Sequence, residues 1–418
     1  MVLQETFSYA CKKILAGAAL AALMLMTAGA RALTLEEAVR GAWAVSPQLE
    51  AQREQWRLSS LDRWRRFVPN EPQLLFTSAD DRTNVAWGFA ETFAFPGKSL
   101  AFTALDRARE EAQRSEWLAK RYEVARTAAQ DYIDSAVAAA AVELQKKNIA
   151  DLEALAQTLR ARYEAGQATQ AEDISAELQL RQVRADLAAM SDRLITASRR
   201  LIRLLGLPDT NRPVLELSDD IPPTLASELG GGGADLLRAE AAAVVARAGR
   251  GVSSWSQLPD ISINALRNHY SYLPGSPNGQ ERTWTYGASM SIPLLFPIWE
   301  RPEAGRARSQ AVIDGAAARL SALAADSDID DAAREYARSR SRLTDVRQKD
   351  LPLAEALMES TLSSYKTGKL GFAEVVLARK TLSDMRAQDI QLRGSILSAR
   401  LRCLNRCATS SMPSEQNP

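Results

Sequence analysis

Residues 163–185 read YEAGQATQAEDISAELQLRQVRA, and residues 365–387 read YKTGKLGFAEVVLARKTLSDMRA. Set one above the other, the two stretches agree in kind at a constant offset of 202 residues. Tyr163-x-x-Gly166 matches Tyr365-x-x-Gly368, and Ala171-Glu172 matches Ala373-Glu374. Ile174 matches Val376, Leu180 matches Leu382, and Arg184-Ala185 matches Arg386-Ala387. Farther upstream, Phe95-Pro96 matches Phe296-Pro297 at an offset of 201. A period near 200 residues marks a duplicated domain rather than a solenoid of short units.

Working outward from the first turn, Ser99 to Ala165 holds neither Gly nor Pro, and neither does Gln167 to Leu205. Both runs are rich in Ala, Leu, Glu, Arg and Gln, which form helices well. At about 1.5 Å per residue, Ser99–Arg162 alone makes a rod roughly 95 Å long. Such a rod must pack along others, in coiled-coil fashion. Gly166 then supplies the turn between two antiparallel rods. The second copy repeats the plan over Arg301 to Tyr365, a turn at Gly368, and Lys369 to Leu404. Gly305, Gly315, Pro352, Gly371 and Gly394 interrupt it, and Pro352 is expected to bend its helix.

A strand pair precedes each set of rods. In the first copy Pro72 to Ser78 pairs with a strand that places Trp87, Phe89, Phe93 and Phe95 on one face. Ala86, Gly88, Ala90, Thr92 and Ala94 take the other. In the second, Asp260 to Tyr272 leads through a Pro- and Gly-rich turn, Pro274–Gly279. The return strand sets Trp284, Tyr286, Met290 and Ile292 against Thr283, Thr285, Gly287, Ser289 and Ser291. Large apolar residues out and small or polar ones in is the pattern of a membrane barrel. A half-buried hairpin on a soluble core has the same period. Two such hairpins beside very long rods in an exported chain favour the barrel.

Export is read from the first 32 residues. Lys12-Lys13 precedes an uncharged apolar run, Ile14 to Ala28, and Ala30-Arg31-Ala32 is a small-x-small cleavage signature. Cys11 lies ahead of that run, so it is not placed for lipid attachment. No later stretch reaches 18 apolar residues, so no helix spans a membrane. The resulting organisation is a signal peptide, 1–32, and a first repeat, 33–229, made of an opening helix, a β-hairpin over 70–97 and a helical hairpin over 99–206. A glycine linker, 230–233, leads to a second repeat, 234–405, with a β-hairpin over 259–296 and a helical hairpin over 301–404. A disordered tail, 406–418, closes the chain.

Composition excludes several functions. Lys and Arg number 52 against 51 Asp and Glu, which leaves no basic field for nucleic acid. Histidine occurs once, as His269 at the tip end of a strand, so metal and His-based acid/base sites are thinly supplied. Pro96-Gly97-Lys98 lacks the spacing of a phosphate loop. Cys403 and Cys407 stand four apart on a helix, a poor geometry for a disulfide, and they read as structural or incidental thiols. No constellation assembles an enzyme, a cofactor site or a metal site.

A spanning barrel must close, because open edges leave unpaired N–H and C=O groups in hydrocarbon. Four strands per chain cannot close, since single-chain barrels use at least about eight. Two chains give eight strands and a filled interior; three give twelve and room for water. The strand count therefore favours three or more chains without fixing the number.

These features resemble the TolC-like outer membrane efflux proteins. The opening Leu33-Thr34-Leu35-Glu36-Glu37-Ala38, the Ser46-Pro47-Gln48-Leu49 step, the Pro-flanked hairpins and the Tyr-x-x-Gly turns carry the likeness over about residues 33–405. The resemblance implies a mainly α fold with a small β part. Duplicated helical hairpins would form a trimeric periplasmic α-barrel, and four strands per chain would enter a shared twelve-stranded transmembrane β-barrel. It further implies a homotrimer in the outer membrane, docked to a periplasmic adaptor and to an inner-membrane pump of an RND system. Pro69-Asn70-Glu71-Pro72 and Phe95-Pro96-Gly97-Lys98 look most like the CzcC-like branch, which implies heavy-metal cations as cargo. Tyr163, Gly166, Tyr365 and Gly368 would form the periplasmic tip that meets the adaptor. Glu374 stands where the family often places a constriction acid, and Glu172 is its counterpart in the first copy. Leu377 stands where a second acid can occur. A periplasmic coiled-coil adaptor or scaffold without membrane strands is the competing reading.

Overall fold

The computed structural model describes residues 33–65, 73–78, 84–208, 214–218, 220–229, 234–255, 260–270, 281–290 and 302–409. The signal segment, the glycine linker and the Pro274–Gly279 turn lie outside these residues, as do Ile292, Phe296-Pro297 and 410–418. In chain order the elements are α1 (Leu35–Val45), α2 (Pro47–Arg65), β1 (Gln73–Ser78), β2 (Asn84–Ala94), α3 (Pro96–Glu164), α4 (Gln170–Leu204), α5 (Pro223–Leu229) and α6 (Ala234–Trp255). They continue with β3 (Asp260–Tyr270), β4 (Glu281–Met290), α7 (Pro302–Asp345), a π-helical turn (Val346–Asp350), α8 (Leu351–Lys366) and α9 (Phe372–Thr409). The rods are real: α3 runs for 69 residues and α7 for 44. Residues 406–409 extend the last helix. Helix α6 was not foreseen, although its composition suits a helix.

Two compact units form, and each draws on both sequence repeats. One gathers the described residues of Ser46–Glu123 and Leu229–Asp330; the other gathers those of Met1–Val45, Val124–Glu228 and Asp331–Pro418.

The first unit holds the sheet, a meander in the order β1-β2-β3-β4 with every neighbour antiparallel. The β2–β3 ladder, which runs from Asn84↔Tyr270 to Ala94↔Asp260, joins the hairpins of the two repeats. The Phe95-Pro96-Gly97-Lys98 stretch proves to be a corner. Pro96 opens α3, and the Trp255 ring packs so closely on Gly97 that a Cβ there would meet it at 2.1 Å. Lys98 Nζ sits 3.0 Å from Asp260 at the base of β3. Arg238 of α6 donates to both Glu116 oxygens at 2.9 Å and reaches Glu123 at 2.6 Å, which ties α6 to α3.

The second unit is built from the paired rods. Thr34 and Glu37 close a capping box on α1, with Thr34 N donating to Glu37 at 3.0 Å and Glu37 N to the Thr34 hydroxyl at 3.2 Å. The buried Tyr132 hydroxyl donates to Leu33 O at 2.8 Å, with Glu216 O at 3.0 Å, and so fastens the start of the chain to α3. The repeat reappears as a contact. Arg184 meets Glu153 at 2.7 Å across the first hairpin, and Arg386 meets Glu355 at 3.0 Å across the second. Around Pro352 the structure departs from a simple bend. A proline has no N–H and its ring crowds the carbonyl four residues back. The chain accommodates this by widening to a π-turn just ahead, where Leu351 N donates to Val346 O. Within that turn Arg347 donates to Asp389 of α9 at 2.6 Å.

Candidate functional site: hairpin turns and sheet faces

The two Tyr-x-x-Gly turns share one backbone design. Gly166 and Gly368 have φ of 71° and 75°, the left-handed conformation that closes a helix at low cost only for glycine. Gly166 N donates to Tyr163 O at 2.9 Å and Gln167 N to Arg162 O at 2.8 Å. Gly368 N donates to Tyr365 O at 3.0 Å and Lys369 N to Ser364 O at 2.9 Å. Both glycines face open space, with no atom within 4 Å of a Cβ added to either.

The side chains around the turns have diverged. Tyr163 is 39% exposed, whereas Tyr365 is only 4% exposed. Tyr365 sits in an apolar cluster with Leu159, Ala176, Phe372 and Val375, which draws on both hairpins. Its ring meets Phe372 edge-on at 6.4 Å, and the Arg162 guanidinium lies over it at 4.8 Å. Arg162 also donates to Tyr365 O at 3.2 Å. Burial raises the Tyr365 hydroxyl above the usual tyrosine range.

The two candidate acids both stand at the third position of a helix. Glu172 closes a capping box with Thr169, accepting from Thr169 N at 2.9 Å. Its other oxygen accepts from Phe372 N of the second hairpin at 3.3 Å. The Thr169 N–H, and then that of Phe372, hold the Glu172 carboxyl below the usual carboxylate range. The second turn has Gly371 where the first has Thr169, so it lacks the hydroxyl half of the box. Glu374 is exposed and folds toward Gly371, its carboxylate 3.0 Å from where a Cβ would stand.

Because its folded-state pKa is depressed, Glu172 stabilises the paired tips above about pH 4.5, and that stability is lost as pH falls through the lower folded value. Glu172→Gln is expected to remove the charge-assisted bonds, at a cost of about 1 kcal/mol. The protection factors of the Thr169 and Phe372 amides, taken against intrinsic exchange at each pH, should then fall at neutral pH, as they should for the wild-type chain in acid. Unchanged exchange at Phe372 would show that the bridge does not join the hairpins.

A polar junction that the sequence did not disclose lies beside the tips. Arg379 is 8% exposed, donates to Asn148 O at 2.6 Å and meets Asp151 at 3.1 Å. Asn148 donates to the Ser383 hydroxyl at 2.7 Å. These groups border a cleft of about 720 Å³ that Arg162, Lys366 and Arg386 also line. The partners of Arg379 lie about 230 residues away in sequence, which no local pattern reports.

At the sheet, the register sets Phe76, Trp87, Arg267 and Trp284 in one cross-strand row, and Leu74, Phe89, Ala265 and Tyr286 in the next. Side chains paired this way share a face. On it Leu74 is 88% exposed and Tyr286 75%. The opposite face carries the small and polar set, cross-linked by Thr92–Ser262 at 2.8 Å and Asn268–Thr285 at 2.6 Å. The alternation read from β2 and β4 is therefore one continuous two-faced surface. Four charged or titratable residues, Glu91, Arg267, His269 and Arg282, also share the large face, and periodicity did not reveal them there.

Cys403 is buried and disulfide-bonded, and the backbone there leaves helical geometry at φ −114°, ψ 15°. The expectation of a free thiol in a regular helix is thus corrected. Among the described residues no helix is long and apolar enough to cross a membrane, and no group of three potential metal ligands occurs.

No family model and no curated protein matches the chain. Solved structures do. The outer membrane protein VceC of Vibrio cholerae superposes with a TM-score of 0.73 at 17% identity, over 89% of this chain and 96% of that one. The open-state MtrE outer membrane channel of Neisseria gonorrhoeae gives 0.70 at 16% identity, over 90% and 89%. The CmeC outer membrane channel of Campylobacter jejuni gives 0.67 at 14%, over 89% and 86%. The chain has the fold of these proteins: duplicated long helical hairpins with a small four-stranded sheet.

Proposed function

We propose that this chain is a channel subunit of an outer membrane efflux system, a passive conduit and not an enzyme, which assembles as a homotrimer. The observation that carries the reading is the four-stranded sheet, with bulky apolar residues exposed on one face and small polar ones on the other. Exposed apolar area of this kind marks a surface meant to be covered, and lipid suits its aromatic content. Among the described residues the outer edges of β1 and β4 pair with no strand, as expected if neighbouring copies complete a barrel.

The hairpins support the same assembly. Tyr365 packs against the first hairpin of its own chain, while its repeat-mate Tyr163 stays exposed, as do Ile174 at 50% and Leu178 at 61% on the next helix. A neighbouring copy would offer Tyr163 the contact that Tyr365 already has. The turns at Gly166 and Gly368 are the docking tip for a periplasmic adaptor, which links the conduit to an inner-membrane pump of an RND system. Glu374 is the constriction acid, and its exposed carboxylates would favour cations. Glu172 serves beside it as the cap that holds the tips together. The Pro69–Pro72 and Phe95–Lys98 likeness supports heavy-metal cations as cargo. Glu374→Gln should lower cation preference in planar-bilayer recordings, and unchanged selectivity would remove Glu374 from that role.

Cell fractionation tests the location. The reading expects the chain, processed near Leu33, in the outer membrane fraction. Release by osmotic shock would instead favour a periplasmic scaffold.

A further inference from the structure

We propose that the rim of the large sheet face, at the hairpin-loop end, binds the phosphate of an anionic lipid headgroup through Arg267 and Arg282, with His269 beside them. The proposal rests on the reading of that face as lipid-facing. The register places Arg282 directly across from His269, and Arg267 two residues along the same face, across from Trp284. Like charges this close on one sheet face are unfavourable unless something neutralises them. Among the described residues none does so: neither arginine forms an ion pair, and the face holds no carboxylate at either row. The closest acid on it is Glu91, paired with Ile263, four residues deeper than Arg267.

Depth identifies the occupant. From the Ile261–Met290 row to the Arg267–Trp284 row is six residues, about 20 Å of strand, and the His269–Arg282 row stands about 26 Å along it, which at a barrel tilt of about 40° are heights of about 15 and 20 Å. The apolar band of a spanning barrel is about 25 Å tall and ends in aromatic girdles. Trp87 and Trp284, about half exposed, form such a girdle on both sides of Arg267. From this girdle the long arginine side chains snorkel the remaining distance, so that their guanidinium groups stand at headgroup level. The Arg267 guanidinium lies 5.9 Å from the Trp284 ring centre, which steadies its planar fork for a bidentate phosphate contact. A free anion would engage only the arginines. A lipid would also cover Phe76, 72% exposed, with its acyl chains. The surface fits an amphiphile.

The test uses the full chain, purified in detergent and reconstituted into vesicles of phosphatidylcholine alone or mixed with phosphatidylglycerol. Bound lipid is then counted by native mass spectrometry. Wild-type protein should retain phosphatidylglycerol over phosphatidylcholine by roughly tenfold, the order expected of charged hydrogen bonds. R267Q/R282Q should lose that preference, R267K/R282K should keep most of it, and R181Q, at an exposed helix arginine of the other unit, should keep all of it. Wild-type protein that enters vesicles without preference, or a glutamine variant that keeps the preference, overturns the phosphate site and leaves the membrane reading standing. Wild-type protein that enters neither kind of vesicle overturns both.

Discussion

Phe89→Arg should empty the outer membrane fraction of this protein, while Ser289→Arg should leave it there. Phe89 is 52% exposed on the large face, in the row between the girdle and the lower edge, beside Leu74 and Ala265. A guanidinium at mid-depth on a lipid face costs about 2–4 kcal/mol per chain, and a trimer carries three. A loss of assembled protein on the order of a hundredfold is expected. Ser289 pairs with Ser262 on the small face, where an arginine would enter water. Immunoblots of separated membranes decide the matter. Phe89→Arg at wild-type level in the outer membrane would mean that this face never meets lipid.

Gly166→Val with Gly368→Val should abolish export and leave the assembled protein in the membrane. Each glycine has positive φ, so a β-branched residue costs about 1–3 kcal/mol of backbone strain per site. No atom stands within 4 Å of a Cβ added at either site, so the new side chains start into open space. The damage falls on the outer contour of the turns, the surface proposed to meet the adaptor. Toxicant survival should drop to that of a strain lacking the gene. Gly166→Asn with Gly368→Asn is the control, since asparagine tolerates the left-handed region, and it should keep export. Normal survival with the valine pair would separate the turns from docking.

What the sequence disclosed and what it hid divide along physical lines. The rods, the turns and the strand faces depend on local periodicity and on two glycines, and all of these could be read directly. Their bounds moved by a few residues, as at Pro96, which opens α3 where Ser99 was expected. The sites depend on partners far along the chain. Tyr163 and Tyr365 look alike in sequence, yet only Tyr365 is buried, because Arg162 and Leu159 of the other hairpin close over it. Glu172 and Glu374 align as well, but Thr169 and Phe372 engage Glu172, whereas Gly371 gives Glu374 no hydroxyl. Arg379 gave no sign of burial, since Asn148 and Asp151 reach it from the other repeat. At Pro352 a proline signalled a break, but only the packed rods determine that a π-turn absorbs it. Arg267 and Arg282 lie on different strands, and only the register sets them on one face with Trp284 and His269.

The central claim is that four strands per chain become a water-filled barrel only when copies pool them. It is tested most directly by weighing the detergent-extracted particle and recording its current in a planar bilayer. The account predicts a particle of three chains that conducts ions. A monomer, or a trimer that passes no current, would contradict it.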